Sequence, residues 1–560
     1  MESLSSNVRM HNLARLEKEP FDIVVIGGGV TGAGVALDAA ARGYKVALLE
    51  KSDFASGTSS KSTKLVHGGI RYLPNFDFGL VREALIERGF LLQNAPFLVN
   101  PLPFVLPIYE GDRHPVGMPF TTPGGIGLGR LLDLGLWLYD GLAGRRNVDR
   151  HRHISRAEVM RLAPLLVTNG LKDGFVYYDA QTNDARLTMA IMRTAAQYGV
   201  VIANYAEITG FVTEDGKVKG VNIHDRLTDR RFETSARYMI NATGVYSEMI
   251  EEMTGATPQA EIVPSKGVHL VLDRKKLQIG DSAIVLPETD DKRILFIVPW
   301  ESRVIFGTTD TGTGDLDHPS ASQDDINYLL GYLNRYLSVD LTQEDIISVY
   351  AGYRPLVRPR GSKSSTAKLS RSHAVLENPS GLISIVGGKL TTYRRMAQDT
   401  MDIVSKRDGL SKPLHPTQQI PLQGSAGWLI RKRELQDRGE ALGLDPDVIK
   451  HLGHSYGTEA EALYQYIDEE VALAERLIPD LPYIRAEVIY ACRREMAMKP
   501  EDVIARRTSI ILEDQRSGLE ALEDIVSLMG RELEWSTEQQ QDMIQSSRGR
   551  LEPQKAAEKI

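Results

Sequence analysis

A glycine-rich stretch near the N-terminus, FDIVVIGGGVTGAG at residues 21–34, has the residue types and the spacing of a phosphate-binding loop. Its G-x-G-x-x-G glycines follow a six-residue apolar run that is typical of a buried parallel strand. Gly27 permits a tight turn, Gly29 lets the backbone approach a pyrophosphate, and Gly32 lets the following helix pack closely on the strand. A second strand ends at Glu50, whose carboxylate can bind ribose hydroxyls. The stretch therefore predicts a dinucleotide site.

The segments that follow favour a flavin dinucleotide over a nicotinamide one. A nicotinamide dehydrogenase usually continues with further short strand–helix units, whereas this chain runs SDFASGTSSKSTKLVHGGIRYL at residues 52–73. This polar segment can wrap a second phosphate and a flavin ring, and its candidate residues are Ser59, Ser60, Lys64, His67 and Gly68. Two later strand-to-glycine turns, in ARYMINATGVYS and LISIVGGKLTTYRRMA, add Gly244, Gly388, Leu390 and Thr391. Three such elements converging on one ligand suit FAD.

Length and composition limit the classes of protein that remain. A chain of 560 residues exceeds the size at which one hydrophobic core stops growing, so two or three domains are expected. A net charge of −8 gives no reason to expect a nucleic-acid partner. The single cysteine, Cys492, excludes an intramolecular disulfide and a cysteine-based metal cluster. No metal is therefore expected, and a reducing, cytoplasmic compartment is the default.

Strand, turn and helix signals alternate up to about residue 405 and then give way to helical periodicity. Residues 406–424 resemble a linker because Pro, Gly and polar residues replace periodic apolar ones. From about residue 425 onward, apolar residues recur three and four positions apart. We therefore predict a separate all-α C-terminal domain at residues 409–560.

One segment comes nearest to a membrane-contacting sequence, namely GLGRLLDLGLWLYDGLAGRR at residues 127–146. Its runs of apolar residues are too short to span a bilayer. It can lie in a membrane interface with Trp137 at the level of the headgroups. The alternative is a helix that packs on the protein's own core. The sequence leaves both interpretations open.

A set of motifs spread along the chain resembles the FAD-dependent glycerol-3-phosphate dehydrogenases, the membrane-associated branch of the D-amino-acid-oxidase-like flavoproteins. The motifs are FDIVVIGGGVTGAG, TSSKSTKLVHGGIRYL, DARLTMA, INATGVYS, SKGVHLVL, FGTTD, YAGYRPL and GGKLTTYR. The resemblance is strong over residues 20–405 and looser over the C-terminal domain. It implies an α/β fold in which a Rossmann-like FAD-binding domain carries an inserted mixed β substrate domain, followed by an all-α C-terminal domain.

On this basis we assign residues 21–95, 175–262 and 375–408 to a discontinuous FAD-binding domain. Residues 96–174 and 263–374 are assigned to the substrate-binding domain.

The resemblance also implies a reaction. In it, sn-glycerol 3-phosphate is oxidised at C2 to dihydroxyacetone phosphate, hydride passes to flavin N5, and the electrons leave to a membrane quinone. The protein must then clamp a dianionic phosphate, accept or hold the proton of the C2 hydroxyl, and compensate the charge of the reduced flavin. Because a quinone is dissolved in lipid, a cytoplasmic protein bound peripherally to the inner face of the cell membrane is expected. A homodimer is left open.

Two arginines in uncharged, glycine-flanked contexts are the candidates for the substrate phosphate. Arg71 in GGIRYL and Arg354 in YAGYRPL each carry a guanidinium, which matches phosphate oxygens bidentately and stays charged. Tyr72 can add a hydroxyl donor. The alternative is that these arginines are ordinary surface charges, and Arg358 and Arg360 are weaker candidates.

The remaining substrate-site candidates come from three other motifs. His269, in the apolar run SKGVHLVL, can accept the substrate proton, although a hydrogen-bonded core histidine is the alternative. Lys389 can polarise the developing ketone or bind phosphate, and the helix amides behind it can stabilise negative charge on the flavin. Thr308 in FGTTD is expected to line the pocket, although strand-end turn chemistry explains this motif too. With Arg71 and Arg354, His269 and Lys389 form the predicted catalytic set.

Three other functions share part of this pattern. A glycerol-3-phosphate oxidase producing hydrogen peroxide would share every motif, but that branch tends to carry an insertion in the middle of the chain that is not seen here. An amino-acid or sarcosine-type oxidase would use an arginine to hold a carboxylate, and a phosphate warrants more cationic groups. A non-catalytic flavin- or NAD-binding sensor would have no use for the clustered cationic residues.

Overall fold

The computed structural model describes residues 4–111, 128–286, 289–290, 293–312, 314–358, 372–410 and 414–551. Its strands β1 to β17 are Phe21–Ile26, Val46–Leu49, Leu65–Val66, Asn100–Tyr109, Arg152–Ser155, Leu171–Gln181, Val201–Ala203, Ala206–Glu214, Lys217–Asp225, Arg230–Asn241, Glu261–Asp273, Ala283–Val285, Phe296–Trp300, Arg303–Gly307, Ile346–Arg358, Ala374–Glu377 and Ile383–Val386. Its helices α1 to α17 are Ser6–Lys18, Val30–Ala41, Phe78–Asn94, Leu128–Ala143, Arg156–Leu162, Asp184–Gln197, Ser247–Glu252, Gln323–Tyr336, Tyr393–Arg407, Trp428–Ala441, Pro446–Tyr456, Ala460–Glu469, Arg485–Glu495, Pro500–Asp502, Ile510–Glu513, Leu522–Glu532 and Thr537–Leu551.

Strand β1 lies inside a largely parallel sheet because its sequence, FDIVVI, can be buried on both faces. The strand order is β16-β17-β10-β1-β2-β7, with the β8–β9 hairpin extending from β10. Ile23 and Val25 pack in the same core as helix α2, and Val24 and Ile26 pack in the core that includes β8 and β9. Strands β1, β2, β10 and β17 run parallel, so the turns that follow them meet at one edge of the sheet.

A second sheet contains strands β11 and β15, which carry the predicted site residues His269 and Arg354. Its order is β15-β11-β14-β13-β12-β4-β6-β3, with β5 on β6, and helix α8 packs on one face while helix α4 packs on the other. The long antiparallel pairing of β11 with β15 sets Ser265 opposite Arg354 and His269 opposite Tyr350. Strand β6 belongs to this sheet. The domain boundaries predicted from the sequence instead assign its residues from 175 onward to the FAD-binding domain.

The helices α10 to α17 form an all-α region that is joined to the first sheet by buried ion pairs. Asp53, in the loop after β2, accepts hydrogen bonds from Arg507 Nη1 at 2.7 Å and from Arg506 Nε at 2.5 Å. Arg186 on α6 pairs with Glu495 on α13 at 2.7 Å. Two sheets with packed helices and an all-α C-terminal region confirm the predicted fold class.

Candidate functional site

The loop between β1 and α2 has the close approaches that the glycine spacing predicts. Gly27 has a φ of +110°, and a Cβ added there would lie 2.7 Å from the carbonyl oxygen of Ala242. A Cβ on Gly32 would lie 1.9 Å from the carbonyl oxygen of Gly27, so helix α2 can pack on the loop only with glycine at that position. Helix α2 begins after Gly29, and the first-turn amides of a helix favour an anion.

Glu50 and Ser59 hold this loop from two sides. The Glu50 carboxylate accepts hydrogen bonds from the amides of Gly28 at 2.7 Å and Ser52 at 2.8 Å, and burial raises its pKa. Ser59 Oγ accepts a hydrogen bond from the Val30 amide at 2.9 Å. Both side chains therefore lie at the start of α2, where the sequence places the ribose and pyrophosphate of a dinucleotide.

A cavity of about 480 Å³ extends from this loop to the second sheet. Most of the sequence-predicted site residues line it, namely Gly27, Gly29, Glu50, Ser59, His67, Tyr72, Gly244, His269, Thr308, Arg354, Gly388, Lys389, Leu390 and Thr391. Gly32, Ser60, Lys64 and Gly68 are not among the residues that line it. Arg71 lies in the turn Ile70–Asn75 with its side chain outside the described structure, and Arg360 lies outside the described residues.

Lys64 is engaged in a buried ion pair and does not line the cavity. Its Nζ lies 2.5 Å from Asp184 Oδ1, and both side chains are buried. The Asp184 carboxylate also accepts a hydrogen bond from the Ser62 amide at 2.9 Å. The pair ties the polar segment after β2 to the start of helix α6.

The His67-Gly68-Gly69 loop lies on a buried polar network. The Gly68 amide donates to Asp179 Oδ1 at 3.1 Å and to the Tyr139 hydroxyl at 2.9 Å. Arg88 Nη1 donates to the same Asp179 oxygen at 2.6 Å, and the Tyr139 hydroxyl also bonds to this carboxylate. The guanidinium partly offsets the effect of burial, which raises the pKa of Asp179. This network positions the loop that carries His67 into the cavity wall.

Arg354 is held over strand β11 by oxygens from that strand and from the turn after β14. Its Nη1 donates to Ser265 Oγ at 3.3 Å, and its Nη2 donates to Thr308 Oγ1 at 3.0 Å and to the Thr309 carbonyl at 3.3 Å. A Cβ on Gly267 would lie 2.5 Å from Arg354 Nη2. Glycine at that position therefore leaves the space that the guanidinium occupies beside the cavity.

His269 is a buried imidazole in the cavity wall. Its Nε2 lies 2.9 Å from Thr63 Oγ1, and its ring stacks on Tyr350 with the centroids 4.7 Å apart. Burial, with the nearby charges of Arg354 and Lys64, holds the pKa of His269 well below its ordinary value. The imidazole is therefore neutral near pH 7 and can accept a proton.

Lys389 enters the cavity from the turn between β17 and α9. Its Nζ lies 4.2 Å from the centroid of the Tyr72 ring, which brings two predicted substrate residues together. Thr391, in the turn that follows, accepts a hydrogen bond from the His67 amide at 3.1 Å. The two glycine-containing segments, around residues 67–69 and 387–391, therefore meet at one wall of the cavity.

Several residues of this site were not identified by sequence reasoning. Thr63 contacts His269, Asp179 holds Gly68, and Gly267 makes room for Arg354. A glycine inside a strand is a signal for close approach of another group, and it marks Gly267. Thr63 and Asp179 act through partners distant in sequence, and nothing in their local sequence distinguishes them.

Comparison with known proteins covers both the sheet region and the helical region. A family model described as FAD dependent oxidoreductase matches residues 22–394. A model described as the C-terminal domain of alpha-glycerophosphate oxidase matches residues 415–540.

Similar proteins match over nearly the whole chain. Glycerol-3-phosphate dehydrogenase 2 of Mycobacterium tuberculosis is 38% identical over 524 residues, which are 93% of this chain and 86% of the relative. The human mitochondrial glycerol-3-phosphate dehydrogenase is 38% identical over 549 residues, which are 94% of this chain and 72% of the relative. The solved glycerol-3-phosphate dehydrogenase from Bacillus halodurans, complexed with FAD, superposes with a TM-score of 0.80 at 30% identity and covers 99% of both chains.

Proposed function

Because this chain belongs to the FAD-dependent glycerol-3-phosphate dehydrogenases, we propose that it oxidises sn-glycerol 3-phosphate at C2 to dihydroxyacetone phosphate and passes the electrons to a membrane quinone. One structural observation carries the proposal. A guanidinium, an ammonium and a neutral imidazole, those of Arg354, Lys389 and His269, line the same cavity as the glycine loop at the start of α2. The arrangement supplies cations for a phosphate and an acceptor for a proton.

The residues around the glycine loop fit FAD. Helix α2 begins after Gly29, so its first turn favours an anion such as a pyrophosphate, and the close approach at Gly27 and Gly32 leaves no room for a side chain. The Glu50 carboxylate lies at the end of β2, where it can bind ribose hydroxyls. FAD, when bound, supplies the acceptor for the hydride that leaves C2.

Arg354 and Lys389 are proposed to bind and orient the substrate phosphate. The Arg354 guanidinium is held in place by Ser265 and Thr308, so little side-chain entropy is lost when an anion binds. Lys389, beside Tyr72 in the lining of the same cavity, supplies a second positive charge. Arg71 is proposed for the same role from its position in the adjoining turn. A doubly charged phosphate is matched by several cations, whereas a carboxylate needs fewer.

His269 is proposed to take the proton of the C2 hydroxyl. Its Nε2 faces Thr63, a residue of the cavity wall, whereas its Nδ1 is buried with no hydrogen-bond partner in the described part of the chain. The proton is therefore accepted at Nε2. The stack on Tyr350 fixes the plane of the His269 ring.

An anaerobic spectrum of the purified protein tests this function. Adding glycerol 3-phosphate should bleach the flavin absorbance, and the bleached spectrum should persist until a quinone is supplied. No bleaching of a protein that contains flavin would contradict the proposed substrate. Rapid return of the flavin absorbance in air, with formation of hydrogen peroxide, would instead establish an oxidase. An oxidase is the second candidate because the C-terminal region matches the family model of alpha-glycerophosphate oxidase.

A quinone acceptor requires contact with lipid, and helix α4 offers a surface for it. Leu134, Trp137 and Leu138 lie on its outward face and are 66%, 56% and 41% exposed. The helix packs against α3 and the turn before it, where Phe76 and Phe78 are also exposed. Large apolar side chains exposed together mark an interaction surface. In the described part of the chain, no helix is both long enough and apolar enough to cross a membrane.

We therefore propose peripheral contact with the cytoplasmic face of the membrane through the outward side of α4. The double variant Leu134→Ser and Trp137→Ser should lose most co-sedimentation with phospholipid vesicles. The matched control, Leu429→Ser and Ile430→Ser, removes an exposed apolar pair on α10 and should still sediment with vesicles. Equal sedimentation of both double variants would contradict the assignment to α4.

A further inference from the structure

Lys61 lies in the cavity wall between two segments already assigned to the site. It follows Ser59, which bonds to the start of α2, and precedes Thr63, which contacts His269. Its side chain runs along strand β15, because a Cβ added to Gly352 would lie 2.7 Å from Lys61 Cβ and 3.6 Å from its Cδ. The ammonium is thus carried by a side chain that is packed in place.

No described residue forms a side-chain hydrogen bond or an ion pair with Lys61. Lys64, three residues later, has such a partner in Asp184. The charged neighbour of Lys61 is another cation, Arg506, and burial together with this guanidinium lowers the pKa of Lys61 to about 8. Lys61 is half-buried in the cavity wall, and a charge that has lost part of its hydration is stabilised by an opposite charge beside it.

We propose that Lys61 binds a phosphate oxygen of a ligand in the cavity. This inference rests on the proposed function, which puts two phosphate-bearing ligands there, FAD with its pyrophosphate and the substrate with its single phosphate. Lys61 lies close to the segments expected to hold each of them, since Ser59 adjoins the pyrophosphate position and Gly352 is two residues from Arg354 on β15. An anion at this position would supply the missing counter-charge for Lys61.

The test compares Lys61→Met with Lys61→Arg, and with Lys219→Met as a control. Lys219 is exposed on β9 and does not line the cavity, so its replacement makes the same change of net charge elsewhere. Two quantities are measured on each protein: the dissociation constant for FAD, by titrating the apoprotein, and the Michaelis constant for glycerol 3-phosphate at saturating FAD. Circular dichroism and the thermal midpoint report whether each variant is folded.

In Lys61→Met we expect at least a tenfold rise in one of the two constants, with Lys61→Arg close to wild type. A rise in the dissociation constant for FAD assigns Lys61 to the pyrophosphate, and a rise in the Michaelis constant alone assigns it to the substrate. Unchanged values of both constants overturn the proposal. If glycerol 3-phosphate reduces none of the proteins, the proposed function fails, while the FAD titration still decides the role of Lys61 toward the cofactor.

A pH series keeps the proposal testable if Lys61→Met does not fold. The charged group that acts on Lys61 is Arg506, which itself donates hydrogen bonds to the carboxylates of Asp53 and Asp502. Lys61 loses its proton as the pH rises through about 8, whereas an arginine stays charged. The affected constant should therefore rise at least threefold in the wild type between pH 7 and pH 9, relative to Lys61→Arg. A ratio that does not change with pH overturns the proposal.

Discussion

Replacing Arg354 with alanine should weaken substrate binding strongly while leaving the flavin in place. The guanidinium lies in the cavity wall, where Ser265 on the second sheet and Thr308 in the turn after β14 hold it. A hydrogen bond to a charged group contributes about 1.5–3 kcal/mol. Since about 1.4 kcal/mol corresponds to a factor of ten, the Michaelis constant should rise by about 10- to 150-fold.

The assay is steady-state oxidation of glycerol 3-phosphate with an artificial electron acceptor, with flavin content measured on the same samples. Lys in place of Arg354 should recover part of the loss, because it restores the charge but not the planar fork. Arg358→Ala is the matched control, since Arg358 lies on the same strand and pairs with Glu261 at 2.7 Å. An unchanged Michaelis constant in Arg354→Ala, or an equal rise in the Arg358 variant, would refute the assignment of Arg354 to the phosphate.

Three further substitutions test other parts of the site and the fold. His269→Asn should lower kcat by about 10²- to 10⁴-fold with normal flavin content, because the proton acceptor is lost. Because the pKa of His269 is lowered, the wild-type rate should fall on the acid side only well below pH 6.5. A fall that begins at a higher pH would argue against this role. Gly267→Ala should raise the Michaelis constant, because the new methyl group would lie 2.5 Å from Arg354 Nη2, and a wild-type value would show that the guanidinium can move without loss. Burial raises the pKa of Glu513 to about 7, so its contribution to stability is present below the unfolded pKa of about 4.5 and is lost as the pH rises through 7. Glu513→Gln should therefore unfold at higher denaturant concentration than the wild type at pH 8 and at a similar one at pH 4.5, and a constant difference would contradict this coupling.

The half of the candidate site that is proposed to bind FAD is largely predictable from the sequence. The glycine loop, the strand before it and the helix after it form one short continuous segment, and the steric demands at Gly27 and Gly32 are met within it and by the neighbouring strand β10. The turns at Gly244 and Gly388 can each be recognised in the sequence, because each follows a predicted strand. Their meeting follows from the parallel strands β1, β10 and β17, whose carboxyl ends share one edge.

The substrate half depends on pairings that sequence patterns do not contain. The residue types of His269 and Arg354 suggest roles, but their positions follow from the register of β11 against β15, which sets His269 opposite Tyr350 and Ser265 opposite Arg354. A shift of one residue in that register would turn each side chain to the other face of the sheet. The extent of the substrate sheet, including strand β6, is likewise a matter of long-range pairing.

The two lysines of the segment TSSKSTKL, Lys61 and Lys64, separate what the amino-acid sequence indicates from what depends on the tertiary structure. The order of residues alone shows that a polar, glycine-punctuated segment with lysines follows the predicted dinucleotide loop, and it predicts that Lys64 contacts the cofactor. The tertiary structure decided that Lys64 pairs with Asp184, 120 residues away, and that Lys61 lies in the cavity wall beside Arg506. The physical reason is that the counter-charge of a buried ammonium is chosen by distance in space, to which separation along the chain gives no guide.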